Sequence, residues 1–282
     1  MTWQTALALG RISNLPTVWT NVLAGIVLAG GNVFSLQAAE ALVAVSLLYM
    51  AGMYLNDAFD RDFDRQFRPE RPIPSGVVSA PLVFTIGFAL LLAGIAQLAL
   101  SGPRAALAGL ALAGLIVLYD AWHKGNPASP VLMGGCRLLA YVAAGFAVVP
   151  SLPDSLWIAA GVSFCWLIGL TYIAKQETLS RMGNLWPLAF LAAPVVYGAV
   201  LAEGRVLVVL LTLVLAAWAG MLVLRLVRQG RPAIPNVVVG LIAGISLVDA
   251  LFAAAHDAPA VAALAVAAFG LTLGLQRWVS GT

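Results

Sequence analysis

Three aspartates with regular spacing are the residues of this chain best suited to chemistry. Asp57, Asp60 and Asp64 stand at positions i, i+3 and i+7, and a helix turning about 100° per residue brings them within an arc of about 60°. Crowded carboxylates repel one another unless a cation joins them, and Mg²⁺ prefers such oxygen ligands together with phosphate and water oxygens. The spacing predicts that these three aspartates hold Mg²⁺, whereas Asp62 points to the opposite side and is expected to be solvated or paired with arginine.

The segment that follows the aspartates, residues 65–76, is basic and rich in proline. Arg68 and Arg71 can reach phosphate oxygens, for which guanidinium groups are suitable donors. The prolines stiffen this segment into an extended path. Asn56, at the membrane end of the aspartate helix, can orient a ligand or a carboxylate. The alternative is a charged loop of mixed sign at a membrane surface.

The composition around this polar segment is that of a membrane protein. Hydrophobic residues make up 62% of the 282 residues and charged residues 10%, against roughly 45–50% and about 25% in soluble domains. A net charge of +3 without a basic face argues against nucleic-acid binding. We therefore expect a single domain over residues 1–282, embedded in the lipid bilayer.

Apolar runs of spanning length predict the helices. A bilayer needs about 17–25 such residues for each crossing, and this gives an all-α polytopic membrane helical bundle. The candidate runs are residues 14–31, 37–56, 81–100, 104–121, 130–150, 154–174, 185–202, 205–227, 235–255 and 259–278.

The distribution of positive charge predicts the orientation of these runs. Of the fifteen Lys and Arg residues, all but Arg104 and Arg205 fall on one side of the bundle. Such a bias is typical of the cytoplasmic side. We expect both termini inside, an even number of spans and a multi-pass protein of the bacterial inner membrane, with its polar chemistry facing the cytoplasm.

The aspartates and the basic segment resemble one known family. Asn56-Asp57-x-x-Asp60-x-x-x-Asp64 is similar to the NDxxDxxxD motif of the UbiA superfamily of intramembrane prenyltransferases, and residues 71–76, RPIPSG, resemble the RPLPSG segment that often follows it. The resemblance implies a bundle of nine helices, or ten with the last run, around a central cavity. It also implies two Mg²⁺ ions, a bound isoprenyl diphosphate and transfer of the isoprenyl group to an aromatic or other lipophilic acceptor.

The chain departs from this family at the second aspartate motif. Members usually carry a DxxxD segment after the sixth helix, but residues 171–181 contain no Asp, and Glu177 is their only carboxylate. Lys175 and Arg181 could neutralise diphosphate directly. An ordinary positively charged inner loop is the alternative.

The loop after the fourth run resembles the family's segment of a Tyr followed by a Lys. There Tyr119 would line the site, Lys124 would meet the diphosphate, and Asp120 could partly replace the missing carboxylates. His123 is interpreted as an interfacial residue rather than as a base.

Polar residues inside apolar runs are further candidates, because such residues usually face the interior of a bundle. Arg137, one turn into the fifth run, could bind diphosphate or acceptor, or extend its charge to the interface. Asp249 could face the cavity or join helices. Asn14 and Asn21 share a face of the first run and are candidates for acceptor binding, with interhelical hydrogen bonding as the alternative. Tyr172 could line the cavity.

Two other functions stay open at this level. A carrier or pathway accessory protein of the same family would bind an isoprenoid or its precursor without transfer, and the missing second aspartates favour it. A cyclase or hydrolase acting on a diphosphate could use the same first site.

Overall fold

The chain forms a bundle of α-helices in a computed structural model that describes residues 1–178, 184–279 and 281. Within these residues the α-helices are α1 (Trp3–Leu9), α2 (Leu15–Leu28), α3 (Leu36–Phe59), α4 (Arg61–Phe67), α5 (Ala80–Leu100), α6 (Pro103–Trp122), α7 (Ser129–Val148), α8 (Asp154–Lys175), α9 (Ala193–Leu201), α10 (Val206–Gln229), α11 (Ile234–Ala255) and α12 (Pro259–Leu275).

Seven of the helical segments are long and apolar enough to cross a membrane. Three shorter apolar segments, Ile12–Leu28, Trp186–Leu201 and Pro259–Leu275, occupy the places of the other predicted runs. The prediction of an all-α polytopic bundle is therefore confirmed.

Helix α11 lies at the centre of this bundle. Of an apolar 18-residue stretch in the segment that contains α11, 89% is buried inside the bundle, whereas the corresponding share for α5 is 28%. Trp166 of α8 is fully buried and donates from Nε1 to the carbonyl oxygen of Leu241 in α11 at 3.1 Å. Large apolar side chains such as Leu92 and Leu213 stay exposed on the outside of the bundle, as expected of a surface in contact with lipid tails.

Small residues set the distance between the helices that meet near the centre. At Gly25 of α2, an added Cβ would lie 3.1 Å from the carbonyl oxygen of Tyr141 in α7. A larger residue would push the two helices apart, and close backbone contact through small residues is the usual packing of membrane helices.

The predicted aspartate helix is interrupted by one residue. Helix α3 ends at Phe59 and α4 begins at Arg61, with Asp60 between them. The amide of Asp60 still donates to the carbonyl of Asn56 at 2.9 Å, and the amide of Asp64 to that of Asp60 at 2.8 Å. The backbone therefore keeps a helical path past the aspartates, although they do not belong to one uninterrupted helix.

Asp249 joins three helices in the apolar interior. It is fully buried in α11 and accepts hydrogen bonds from the hydroxyl of Tyr141 in α7 and, at 2.5 Å, from that of Thr20 in α2. The Thr20 hydroxyl also lies 3.3 Å from the Ser246 hydroxyl. These contacts are those of the interhelical alternative in the sequence interpretation, and they fix α2 and α7 against α11.

Removing the Asp249 carboxylate should destabilise the bundle. Asp249→Ala removes the acceptor of the buried Tyr141 hydroxyl and one of the acceptors of the Thr20 hydroxyl. We expect the free energy of unfolding to fall by about 1–3 kcal/mol. Thermal unfolding in detergent measures the effect. Asp249→Asn, which keeps a hydrogen-bonding side chain of the same shape, is the matched control and should lose less. Identical melting temperatures for Asp249→Ala and the unchanged protein would contradict a structural role.

Candidate functional site

The aspartates lie at one end of the bundle, where several helices surround a cavity of about 380 Å³. The start of α2, the ends of α3, α6 and α8, and parts of α7 and α11 contribute to its walls. Among the described residues, two carboxylates line it, Asp60 and Glu177, against six Lys and Arg side chains: Arg11, Arg68, Arg71, Lys124, Arg137 and Lys175. The lining is therefore strongly cationic and suited to an anion.

Asp57 is held between two guanidinium groups. Nη2 of Arg11 lies 3.1 Å and Nη1 of Arg71 3.2 Å from the same carboxylate oxygen, Oδ1. Arg11 also donates to Oδ1 of Asn56 at 3.3 Å. Arg11 adopts a left-handed backbone conformation (φ 40°), and its carbonyl accepts a hydrogen bond from the hydroxyl of Tyr49. The chain thus turns between α1 and α2 in a way that places this guanidinium beside the aspartates.

Asp64 is fully buried, and within the described residues one of its two carboxylate oxygens is hydrogen-bonded. Its Oδ2 accepts from Nη1 of Arg71 at 2.9 Å, whereas Oδ1 has no hydrogen-bond partner among the described residues. Burial raises the pKa of Asp64 above its ordinary value, the charges of Asp60 and Asp57 add to this rise, and Arg71 opposes it. The free oxygen is available to a further cation.

Asp60 is paired with the loop after α6. Its Oδ2 lies 2.9 Å from Nζ of Lys124 and 3.4 Å from Nε2 of His123. Burial raises the pKa of Asp60, but the hydrogen bond with His123 and the charges of His123 and Lys124 outweigh burial, so this pKa lies below its ordinary value. The Lys124 ammonium is also 4.0 Å from the centre of the Phe63 ring. Asp60 therefore stays ionised, as a metal ligand must.

The donor set fits Mg²⁺. In the described part of the chain, no three His, Cys, Asp or Glu side chains converge enough to hold a metal by themselves. Mg²⁺ nevertheless needs only one or two carboxylates when phosphate oxygens and water complete its shell. Asp57, Asp60 and Asp64 offer buried carboxylate oxygens, and Asp64 has one without a partner. The assignment of these aspartates as metal ligands remains a prediction.

Asp120 lies beside the aspartates and is not ion-paired within the described residues. It is almost fully buried, its Oδ1 accepts from Nδ2 of Asn56 at 3.2 Å, and its Oδ2 has no described partner. Tyr119 lines the cavity, and its ring stacks on His123 with the ring centres 4.9 Å apart. The loop after α6 thus contributes Lys124, His123 and Asp120 to one site.

On the opposite wall, Glu177 follows the end of α8. Its Oε2 accepts from Nη2 of Arg68 at 3.1 Å, and its backbone carbonyl accepts from Nη2 of Arg231 at 3.0 Å. Lys175 donates to the carbonyl oxygen of Asn126. Arg181 lies outside the described residues. The structure therefore brings Lys175 and Glu177 to the cavity and ties Glu177 to the basic segment after the aspartates.

Arg137 and two asparagines of the first run also reach the cavity region. Arg137 lies about two turns into α7, deeper than the sequence predicts, and donates to the Thr17 carbonyl at 3.0 Å and to Oδ1 of Asn21 at 3.2 Å. Asn14 lines the main cavity and donates to the carbonyl of Gly281 at 2.9 Å. Asn21 lines an adjoining apolar pocket.

Two sequence candidates lie elsewhere. Tyr172 donates to the carbonyl of Asn184 at 2.5 Å, and Asp249 takes part in the interhelical contacts described above. Neither lines the cavity. Conversely, Arg11 and His123 contact the aspartates, although the sequence interpretation gave them no part in the site. An arginine directly before the first apolar run was the only available signal for Arg11. Asp62 is exposed and paired with Arg61 and Arg65, as expected.

Comparison with known proteins identifies the family of this chain. Residues 18–231 match the UbiA prenyltransferase family, and the chain therefore belongs to that family. It is a multi-pass integral membrane protein.

Individual relatives match parts of the chain. Over 175 residues it is 31% identical to a protoheme IX farnesyltransferase of Alkalihalophilus pseudofirmus, covering 58% of this chain and 56% of that protein. Over 86 residues it is 40% identical to a digeranylgeranylglyceryl phosphate synthase of Methanoregula boonei, covering 30% and 31%. The chain thus spans little more than half the length of the first relative and about a third of the second.

The fold extends further than the sequence likeness. A solved UbiA homolog from Archaeoglobus fulgidus, bound to GPP and Mg²⁺, is 16% identical and superposes with a TM-score of 0.64 over 94% of this chain and 99% of that chain. At this identity the likeness shows a shared fold.

The pairing of Arg71 with two buried carboxylates predicts a metal-dependent stability. Arg71→Gln leaves Asp57 and Asp64 without this cation, and we expect the free energy of unfolding to fall by about 3 kcal/mol. Because Mg²⁺ can take the place of the guanidinium, it should raise the melting temperature of the variant more than that of the unchanged protein. Thermal unfolding with and without Mg²⁺ measures both effects.

The matched control is Arg65→Gln, since Arg65 is exposed and pairs only with exposed Asp62 at 3.4 Å. Its melting temperature should respond to Mg²⁺ as the unchanged protein does. An Arg71→Gln variant whose response to Mg²⁺ equals that of Arg65→Gln would contradict the expectation.

Proposed function

We propose that this protein is a Mg²⁺-dependent prenyltransferase that moves an isoprenyl group from a prenyl diphosphate to an aromatic or other lipophilic acceptor. The observation that carries the proposal is the cavity itself. The buried carboxylate of Asp60 and a surplus of Lys and Arg side chains line it. Met53, Leu170 and Ile242 are among the apolar side chains of its walls. Such a cavity suits a molecule with a charged diphosphate and an apolar tail.

Asp57, Asp60 and Asp64 would hold the metal. When bound, Mg²⁺ would neutralise the charge that develops on the departing diphosphate. Arg71 and Lys124, both already at the cavity, bind phosphate oxygens through charge-assisted hydrogen bonds. Asn56 fixes Asp120 in place. These groups are positioned before the substrate arrives, which lowers the barrier because little reorganisation is needed.

The apolar part of the cavity protects the reacting carbon. A smaller pocket of about 130 Å³ adjoins the cavity between α2, α3, α6 and α7, and its lining is mostly apolar. Tyr49, Met53 and Arg137 line both spaces. An allylic group whose bond to oxygen loosens acquires cationic character, and exclusion of water lets the acceptor rather than water attack it. Arg137, Asn14 and Asn21 are the polar groups available to orient that acceptor.

The same reasoning gives a membrane arrangement. We propose nine to ten membrane spans, with the shorter apolar segments crossing together with the seven long ones, and one domain over residues 1–282. Arg104 lies in the first turn of α6 and Arg205 directly precedes α10, at the end of the bundle remote from the cavity. The other Lys and Arg residues of the described part of the chain lie toward the cavity end. By the positive-inside rule the cavity then opens to the cytoplasm, with the N-terminus inside, in a bacterial inner membrane.

A carrier of isoprenoids or their precursors is the second candidate. The observation that favours it is the wall formed by the end of α8. Among the described residues of that wall, Glu177 is the only carboxylate that lines the cavity, and it is bound to Arg68. A site of this kind could bind a diphosphate without promoting its departure.

Transfer of radiolabelled isoprenyl groups distinguishes the two functions. The purified protein in detergent is given several prenyl diphosphates and a pool of aromatic acceptors, with and without Mg²⁺. We expect metal-dependent release of diphosphate, and a rate reduced by about 10²–10³-fold in Asp60→Asn, because the variant loses a ligand of the Mg²⁺ that would neutralise the charge on the departing diphosphate.

Asp62→Asn serves as the control, since Asp62 is exposed and contacts Arg61 and Arg65 instead of the cavity. Its rate should equal that of the unchanged protein. Tight binding of the isoprenoid without any release of diphosphate would contradict the transferase and support the carrier.

A further inference from the structure

The last turns of α8 carry a polar pair on the cavity wall opposite the aspartates. Thr171 and Lys175 are four residues apart, which places them on the same helix face, and both line the cavity. The same helix also contributes three apolar residues to the lining, Leu167, Leu170 and Ala174. The pair is thus a polar patch on an otherwise apolar surface of this helix.

Thr171 differs from the other buried threonines of the described residues, because its hydroxyl has no hydrogen-bond partner there. Buried threonines in helices ordinarily donate to the carbonyl one turn earlier. Thr212 does so to Val208 at 2.7 Å, and Thr272 to Ala268 at 2.8 Å. Thr171 is 5% exposed, yet its hydroxyl has no hydrogen-bond partner within the described residues. A buried donor left open in this way is costly unless a ligand completes it.

The charge of Lys175 is likewise not neutralised by a carboxylate. Its ammonium group donates to a neutral group, the Asn126 carbonyl, and no carboxylate of the described residues forms an ion pair with it. The one carboxylate on this wall, Glu177, is held by Arg68 at 3.1 Å. By contrast, Lys124 on the opposite wall is already paired with Asp60 at 2.9 Å.

We propose that the diphosphate is bound asymmetrically, with a single divalent cation on the aspartate side and direct contacts from Thr171 and Lys175 to the other phosphate. This inference rests on the proposed function, because it assigns the two ends of a prenyl diphosphate within the same cavity. Phosphate oxygens accept hydrogen bonds from a hydroxyl and an ammonium group. The wall therefore supplies a donor and a positive charge at a place where a second metal would need free carboxylates.

A second metal does not fit this wall, because Glu177 is already paired with Arg68. A divalent cation there would have one carboxylate to bind, and that carboxylate would first have to leave Arg68. It would also lie near the positive charge of Lys175. Arg68 and Lys175 together therefore favour direct binding of phosphate over binding of a metal.

Binding of an unreactive analogue measures this arrangement without turnover. The full chain in detergent is titrated with geranyl S-thiolodiphosphate in the presence of Mn²⁺, calorimetry gives the dissociation constant, and electron paramagnetic resonance counts the bound Mn²⁺. We expect one Mn²⁺ per analogue. Lys175→Gln and Thr171→Val should each raise the dissociation constant, by about ten- to a hundredfold for the charged contact and somewhat less for the hydroxyl.

The count of Mn²⁺ should stay at one in both variants, and Lys175→Arg, which keeps the charge, should retain most of the affinity. Thr212→Val is the control for a buried hydroxyl, and Arg228→Gln the control for a positive charge at the cavity end of the bundle. Both controls should bind the analogue as the unchanged protein does. Thermal unfolding of all variants separates a loss of contact from a loss of fold.

The outcomes that overturn the two proposals differ. Two Mn²⁺ per analogue, or unchanged dissociation constants in Lys175→Gln and Thr171→Val, would overturn the asymmetric arrangement while leaving a diphosphate site intact. Failure of the unchanged, folded protein to bind the analogue at any Mn²⁺ concentration would overturn the proposed function itself, and the arrangement with it.

Discussion

The balance between buried carboxylates and the cations beside them governs this end of the bundle. Asp57, Asp60 and Asp64 are 7%, 5% and 0% exposed, and an ionised carboxylate removed from water is strongly destabilising unless a positive charge or hydrogen bonds compensate it. Arg11, Arg71 and Lys124 provide that compensation. Two short connections, the turn before α2 and the loop after α6, are held at the cavity by these pairs.

The same pairs prepare the site for a ligand. Arg71 binds two aspartates with one nitrogen and also lines the cavity. If Asp57 and Asp64 held a metal, Arg71 would be free to bind phosphate oxygens without leaving the cavity. Each buried charge would then stay compensated, which keeps the cost of a change of partners low in a dry cavity.

Much of the fold could be predicted from local sequence, since apolar runs of spanning length report helices directly. The spacing of Asp57, Asp60 and Asp64 likewise predicted that their carboxylates lie close together, because residues three and four apart share a helix face. Contacts between distant segments could not be read in this way. Arg11 reaches Asp57 across 46 positions, and Arg68 reaches Glu177 across 109. Thr171 is recognisable only because its hydroxyl lacks the usual backbone acceptor, which a sequence does not reveal.

The balance of charge also bears on residues 171–181, at and after the end of α8, which contain no Asp. The described part of the wall at the end of α8 has no unpaired carboxylate, but Lys175 supplies a positive charge to the cavity there. A metal ion would carry the positive charge beside the aspartates, whereas the Lys175 ammonium group carries it at the end of α8. In the proposed arrangement, a cavity with one carboxylate cluster would therefore still enclose both phosphates of a diphosphate.

The most direct measurement is a crystal structure with geranyl S-thiolodiphosphate and Mn²⁺, with the metal located by anomalous scattering. The account predicts an anomalous peak beside Asp57, Asp60 and Asp64, and a diphosphate that extends from that peak to Thr171 and Lys175. A diphosphate bound away from these aspartates, or an analogue seated in the cavity without any metal beside them, would contradict it.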